Sequence, residues 1–187
     1  MNHTQALTTF ENYIRARYPI VALVSYEETR VITAVRAIAR NMGYKVAEWT
    51  FTRGMTLYEY SESAKKWEPV SGSPINPDAT RDPATAFESM LAYAKMYYGF
   101  GANANPTLFV MKDLHNILVA KRPDTIRYLR DVAAAFEMTK HNLVLVSPSF
   151  TTPPDLEKTV AVLDWPLPDA DDLSNILDRA ITDLKPE

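Results

Sequence analysis

The sequence predicts an α/β domain in three layers, with a mostly parallel sheet of five strands between two layers of helices. Three observations point to it. The runs Ile20–Val24, Leu108–Met111, Leu143–Val146 and Val160–Asp164 are short and almost wholly apolar, as strands buried on both faces are. Lys45–Phe51 alternates instead, with Val46, Trp49 and Phe51 as its bulky members. Between these runs, apolar residues recur at helical spacing, and strands that alternate with helices form parallel sheets covered on both faces.

Taken in order, Thr8–Arg17 reads as a helix with Phe10, Tyr13 and Ile14 on one stripe, stopped by Pro19. The first strand, Ile20–Val24, leads into a second helix carrying Val31, Ile32, Val35, Ile38, Ala39 and Met42, with Gly43 as its C-cap. From about 53 to 79 an insertion interrupts the pattern. There Tyr58, Tyr60 and Trp67 flank the polar stretch Ser61–Lys66, which suits a β-hairpin or an aromatic-anchored loop. Asp82-Pro83 opens the next helix, acid at the N-cap and proline in the first turn. Its expected buried stripe is Phe87, Met90, Leu91, Ala94, Tyr97 and Tyr98. The strand Leu108–Met111 is followed by a loop to Pro123, then by a helix with Ile126, Leu129, Ala133 and Phe136 inward. After Leu143–Val146 comes a turn with one helical turn at Pro154, then Val160–Asp164. A last helix from Asp169 carries Leu173, Ile176, Leu177, Ala180, Ile181 and Leu184 in register. The expected organisation is one domain over 1–168 and a C-terminal helix over 169–187.

Composition narrows the function. Of 187 residues, 47% are apolar and 23% charged, which suits a globular domain with a well-solvated surface. The absence of cysteine removes disulfides, thiolate metal sites and cysteine nucleophiles together. No apolar run approaches the roughly 18 residues of a membrane span, and the start MNHTQALTTFEN lacks a basic region followed by a hydrophobic block. A cytoplasmic protein is expected. The net charge of −3, with no run of five basic residues, argues against binding nucleic acid by phosphate neutralisation.

Ligands of such sheets bind beyond the carboxyl ends of the strands. A phosphate cradle after the first strand needs glycines and a lysine before Ser or Thr. That turn reads Ser25-Tyr26-Glu27-Glu28-Thr29, none of the five glycines lies in it, and Gly-Lys-Ser/Thr occurs nowhere. Glu27 and Glu28 place negative charge where a triphosphate would sit, and suit a helix N-terminus instead. Asp113 stands just past an apolar run, where an acid holds Mg²⁺ in P-loop nucleoside triphosphatases. Without the cradle it is expected to be a strand-end acid that caps the loop or pairs with a base. His115 has only His3 and His141 for company, so a buried, hydrogen-bonded imidazole is expected rather than a metal ligand. Ser147-Pro148-Ser149 lacks the Gly-x-Ser-x-Gly turn of a hydrolase nucleophile and reads as a proline-fixed loop. Asp113, His115, Glu27, Glu28 and Ser147 are thus the candidate relic of a nucleotide and Mg²⁺ site, with no catalytic residue and no metal site expected. Arg81 could be presented to a neighbour's phosphate. Tyr58, Tyr60 and Trp67 suit either a partner surface or a satellite core.

These residues carry a resemblance over about Ile14 to Ile181. Its marks are Ile14-Arg15-Ala16-Arg17-Tyr18-Pro19-Ile20, Glu27-Glu28, Thr80-Arg81-Asp82-Pro83 and Leu108-Phe109-Val110-Met111-Lys112-Asp113-Leu114-His115. Ser147-Pro148, Pro153-Pro154-Asp155-Leu156-Glu157-Lys158 and Pro166-Leu167-Pro168-Asp169 complete it. In this order and spacing the chain resembles the N-terminal, degenerate ATPase-like domain of a group of AAA ATPases from chloroplast genomes, cyanobacteria, other bacteria and phages. The resemblance implies a P-loop-type (AAA/RecA-like) fold without a working phosphate loop, and a last helix like the start of an ATPase lid. It implies a second, intact AAA module in full-length members, which uses ATP and Mg²⁺, so that this chain is either an excised N-terminal domain, the favoured reading, or a short stand-alone version, and needs no cofactor itself. The partners it implies are that module and neighbouring subunits. The location it implies is the chloroplast stroma or the cytosol of bacteria or phage-infected cells. The resulting expectation is a non-catalytic domain for assembly, regulation or partner binding. Two other readings stay open: a nucleotidase with an atypical site around Asp113, Glu27 and Glu28, and a RecA-like nucleic-acid binder using Arg15, Arg17, Lys65 and Lys66.

Overall fold

The structure is a computed structural model that describes residues 1–101, 104–119 and 123–183. Helix α1 (His3–Arg15) begins earlier than Thr8 because Asn2 and Gln5 form a capping box, each side chain accepting from the other's backbone N–H. Then come β1 (Ile20–Val24) and α2 (Glu28–Met42), which Gly43 ends in the left-handed conformation. β2 (Lys45–Thr50), β3 (Gly54–Ser61) and β4 (Lys66–Pro69) follow. A 3₁₀ turn (Asp78–Thr80) precedes α3 (Pro83–Met96), whose N-terminus Asp82 caps as expected. The rest is β5 (Thr107–Lys112), α4 (His115–Val119), α5 (Pro123–Glu137), β6 (His141–Ser147), a 3₁₀ turn at Pro154–Leu156, β7 (Val160–Asp164) and α6 (Ala170–Asp183).

The sheet runs β4-β3-β2-β5-β6-β1-β7. Its five strands from β2 to β7 are parallel, as expected. The count of five is corrected to seven, because the insertion continues the sheet as an antiparallel hairpin, with Val46 opposite Tyr58 and Tyr60 opposite Trp67. Gly54 makes this possible. It has φ +71°, and a Cβ there would stand 1.8 Å from the Pro77 carbonyl oxygen. Thr80 then ties the insertion down: its hydroxyl accepts from the Met55 N–H at 2.8 Å, and its carbonyl accepts from the Trp49 indole at 2.7 Å.

Alternation along the parallel strands divides the core into two. Ile20, Phe109, Met111, Leu143 and Leu145 face α3 and α5, whereas Val21, Leu23, Val110, Val144 and Val146 face α1 and α2. Two further expectations are corrected. The segment after β5 forms α4 instead of an uninterrupted loop. Tyr98 is exposed, since α3 ends at Met96, and Tyr93 takes the buried place, its hydroxyl bonded to Asn105 and Thr107. His141 is 2% exposed inside a box of Tyr93, Phe109 and Phe136, and neither ring nitrogen has a hydrogen-bond partner. On α6, Leu173, Leu177 and Ile181 are exposed, and Leu184 lies outside the described residues.

Candidate functional site

The carboxyl ends of β1, β5 and β6 meet at a crevice of about 190 Å³ lined by Ser25, Tyr26, Glu28, Asp113, Ser147 and Pro148 among others. Asp113 donates its N–H to the Val146 carbonyl at 2.9 Å, which extends the β5–β6 ladder by one rung. It then takes φ +57°, a left-handed conformation that Asp tolerates better than most residues, and the chain turns into α4. Its carboxylate is 61% exposed. The Ser147 hydroxyl donates to the Ser149 carbonyl at 2.8 Å and so holds the loop after β6.

Beside the crevice lies a feature with no clear signal in the sequence. Lys112, the last residue of β5, is 8% exposed, and its ammonium stands 3.0 Å from Glu28 and 3.5 Å from Glu48. Glu48, on β2, is in turn 2.6 Å from Arg36 on α2. The four side chains form a chain of alternating charge across the strand ends. A lysine closing an apolar strand is hard to place from sequence, and nothing there pairs it with a glutamate 64 positions earlier. Arg30 is the other unanticipated clamp: it pairs with Glu27 at 2.6 Å, meets His3 Nδ1 at 3.2 Å and donates to the Pro166 carbonyl. It thereby ties the N-termini of α1 and α2 to the segment leading into α6.

The structure therefore gathers Glu28, Asp113 and Ser147 at one crevice and places the other two candidates elsewhere. Glu27 faces an adjoining groove between α1 and α2, which Tyr26 and Glu28 also line. His115 lines a separate cavity. Its side chain is 13% exposed, as expected of a buried imidazole, and its Nδ1, 3.9 Å from the Asp113 carboxylate, has no hydrogen-bond partner. The distance is beyond hydrogen-bonding range. Among the described residues no group of three or more His, Cys, Asp or Glu could hold a metal ion.

Arg81 is exposed and paired with Asp78 at 2.7 Å. Tyr58 and Tyr60 lie beneath the guanidinium groups of Arg36 and Arg40, at 5.1 and 4.0 Å from their ring centroids, and Trp67 meets Tyr60 edge-on. The basic residues considered for nucleic acid sit toward the amino ends of the parallel strands, and most have an acid beside them. Arg15 pairs with Glu11, Lys65 with Glu62 and Lys66 with Glu68, at 2.6, 2.9 and 3.2 Å. Arg17 stacks on Phe100.

A sheet of this order, with its crevice at the strand ends and no phosphate loop, defines a P-loop NTPase-like α/β domain. Residues 6–165 match the N-terminal domain of SpoVK-like AAA ATPases, and the chain belongs to that family. It is 23% identical over 172 residues to the AAA domain-containing protein ycf46 of Trieres chinensis, covering 91% of this chain and 30% of that one. The ycf46 protein of Guillardia theta is 24% identical over 163 residues, covering 85% of this chain and 27% of the relative. The chain thus spans under a third of these relatives' lengths. Among solved structures, an E. coli MS115-1 HORMA:CdnC:Trip13 complex aligns with TM-score 0.47 at 15% identity, over 99% of this chain and 61% of the matched one. A human cancer-related nucleoside triphosphatase aligns with TM-score 0.42 at 12% identity, over 89% and 98%. Likenesses this distant say nothing about activity. No helix among the described residues is long and apolar enough to cross a membrane.

Proposed function

We propose that this chain is a non-catalytic ATPase-like domain that serves an AAA ATPase in assembly, regulation or partner binding, in the cytoplasm or an equivalent compartment. One observation carries the reading: at the strand ends, the lysine that could face a phosphate is already neutralised by Glu28 and Glu48. The crevice itself, at about 190 Å³, is below the roughly 300–1,000 Å³ typical of small-molecule sites. Its charged walls, Glu28 and Asp113, are acids, and no glycine opens the turn after β1 to let backbone amides wrap an anion. The residues present do not fit Mg-ATP.

Partner binding suits the same pole of the molecule. Tyr26 is 87% exposed just after β1, and Phe51 and Leu167 are exposed just after β2 and β7. The partners that fit are the AAA module of a longer protein and neighbouring subunits, with ATP and Mg²⁺ belonging to that module.

An ATP-hydrolysis assay with and without Mg²⁺ tests the reading. No turnover above the buffer rate is expected from the wild type or from Asp113→Ala. Mg²⁺-dependent turnover that Asp113→Ala abolishes would overturn it and leave the atypical nucleotidase.

A further inference from the structure

The amino ends of the parallel strands form the opposite pole of the sheet from the crevice. The segments 13–20, 40–47, 97–107 and 138–143 lead there into β1, β2, β5 and β6. None of them contains an Asp or Glu, although the chain carries a net charge of −3. Arg15, Arg17 and Lys140, together with Ile14, Met42 and Tyr44, line a hollow of about 500 Å³ at this pole. Arg15 shares its charge with Glu11 at 2.6 Å. Arg17 and Lys140 have no acid within ion-pairing distance among the described residues, and the Arg17 guanidinium rests on the Phe100 ring at 4.2 Å. A guanidinium held by its face keeps its N–H edge for a ligand. Nor are these cations needed to cap the helices that end here. The Tyr13, Ile14, Ala39 and Arg40 carbonyls already accept from the backbone N–H groups of Tyr18, Arg17, Tyr44 and Gly43. We propose that this hollow docks an acidic segment of a partner protein, in which carboxylates flank an apolar side chain.

Guanidinium forks match carboxylates, and Ile14, Met42 and Tyr44 give the apolar residue between them a place to lie. A nucleoside triphosphate fits less well. Phosphate sites use helix amino ends, whereas α1 and α2 bring their carboxyl ends here, whose partial negative charge opposes a concentrated polyanion. A nucleic-acid strand needs a longer basic track. The next cations along, Lys45 and Arg40, are taken by Glu59 and Glu62 at 3.2 and 3.5 Å. The inference goes beyond the function proposed above, because it concerns the pole opposite the crevice and holds whether or not the crevice binds nucleotide.

Titration of the isotope-labelled chain with a capped peptide holding a leucine between two pairs of aspartates, followed by NMR, tests the proposal. The signals of residues 14–18, 41–45 and 140–141 are expected to shift saturably. Asparagines in place of the aspartates should abolish the shift, and raising NaCl from about 50 to about 300 mM should weaken binding about fivefold. Arg17→Gln combined with Lys140→Gln changes two side chains that hydrogen-bond to nothing in the protein, so the variant should fold as the wild type does. It should bind the peptide about tenfold more weakly, the worth of two partly exposed ion pairs. In the wild type, millimolar Mg-ATP should leave the peptide bound. Unchanged affinity in the double variant, shifts centred elsewhere on the surface, displacement by Mg-ATP or no saturable shift would overturn the proposal. So would tighter binding of a pentathymidylate of matching charge, which would assign the hollow to nucleic acid.

Discussion

Asp113 and His115 stand two positions apart at the end of β5, yet they border two unlike hollows. The crevice beside Asp113 is small, acidic and flanked by ion pairs that already set two carboxylates against the Lys112 ammonium. The cavity beside His115 is larger and mostly apolar. Asp113 takes a left-handed turn between them, and its carboxylate and the His115 Nδ1 are 3.9 Å apart. A strand-end acid inherited with a fold is therefore poor evidence of a site. What decides is whether the charges around it are already cancelled.

Glu48→Ala removes the carboxylate shared by Lys112 and Arg36, and leaves a nearly buried lysine with only the half-exposed Glu28. Removing one partner of a buried pair typically costs about 3–5 kcal/mol, and a loss of about 3 kcal/mol is expected here, read from urea unfolding. A loss below 1 kcal/mol, on the scale of an exposed pair, would mean that the network is ornamental and the crevice open to rearrangement.

His141 extends the contrast between paired and unpaired buried groups to the amino end of β6. Burial pushes its imidazole from 6.5 down to about 4. The unfolded chain therefore takes up the proton near pH 6.5 and the native protein only near 4. Stability from this group is intact above pH 6.5 and falls between 6.5 and 4, by about 3 kcal/mol at roughly 1.4 kcal/mol per unit. Stability measured across that window in the wild type and in His141→Leu checks it. The variant should show a shallower fall, and parallel curves would place the proton elsewhere.

Asp113→Asn is expected to have the smallest effect. Asn tolerates the same left-handed backbone, and the carboxylate is mostly solvated, so stability should change by less than about 0.5 kcal/mol. A rise in melting temperature with added Mg²⁺ that this substitution removes would show the acid in use after all.

Much of the fold was legible because burial on both faces leaves an unbroken apolar run. Val160–Asp164 matches its strand residue for residue, and Ile20–Val24 likewise. The sequence does not mark the hairpin as part of the sheet, since Tyr58, Tyr60 and Trp67 suit a loop as well. Their partners, Arg36 and Arg40, sit on a helix that reads as merely charged on that face. The same limit applies to the site. Asp113, Glu28 and Ser147 each follow a recognisable strand or open a recognisable helix, so their convergence follows from the parallel order. Lys112 and Glu48 are joined only by the adjacency of β2 and β5, which no local pattern encodes.

On the proposed function the strand-end crevice takes no nucleotide. Calorimetric titration of the chain with Mg-ATP, with Mg-ADP as control, tests it most directly. No saturable heat is expected up to millimolar nucleotide. Heat that fits a micromolar Kd and disappears in Asp113→Ala would contradict it.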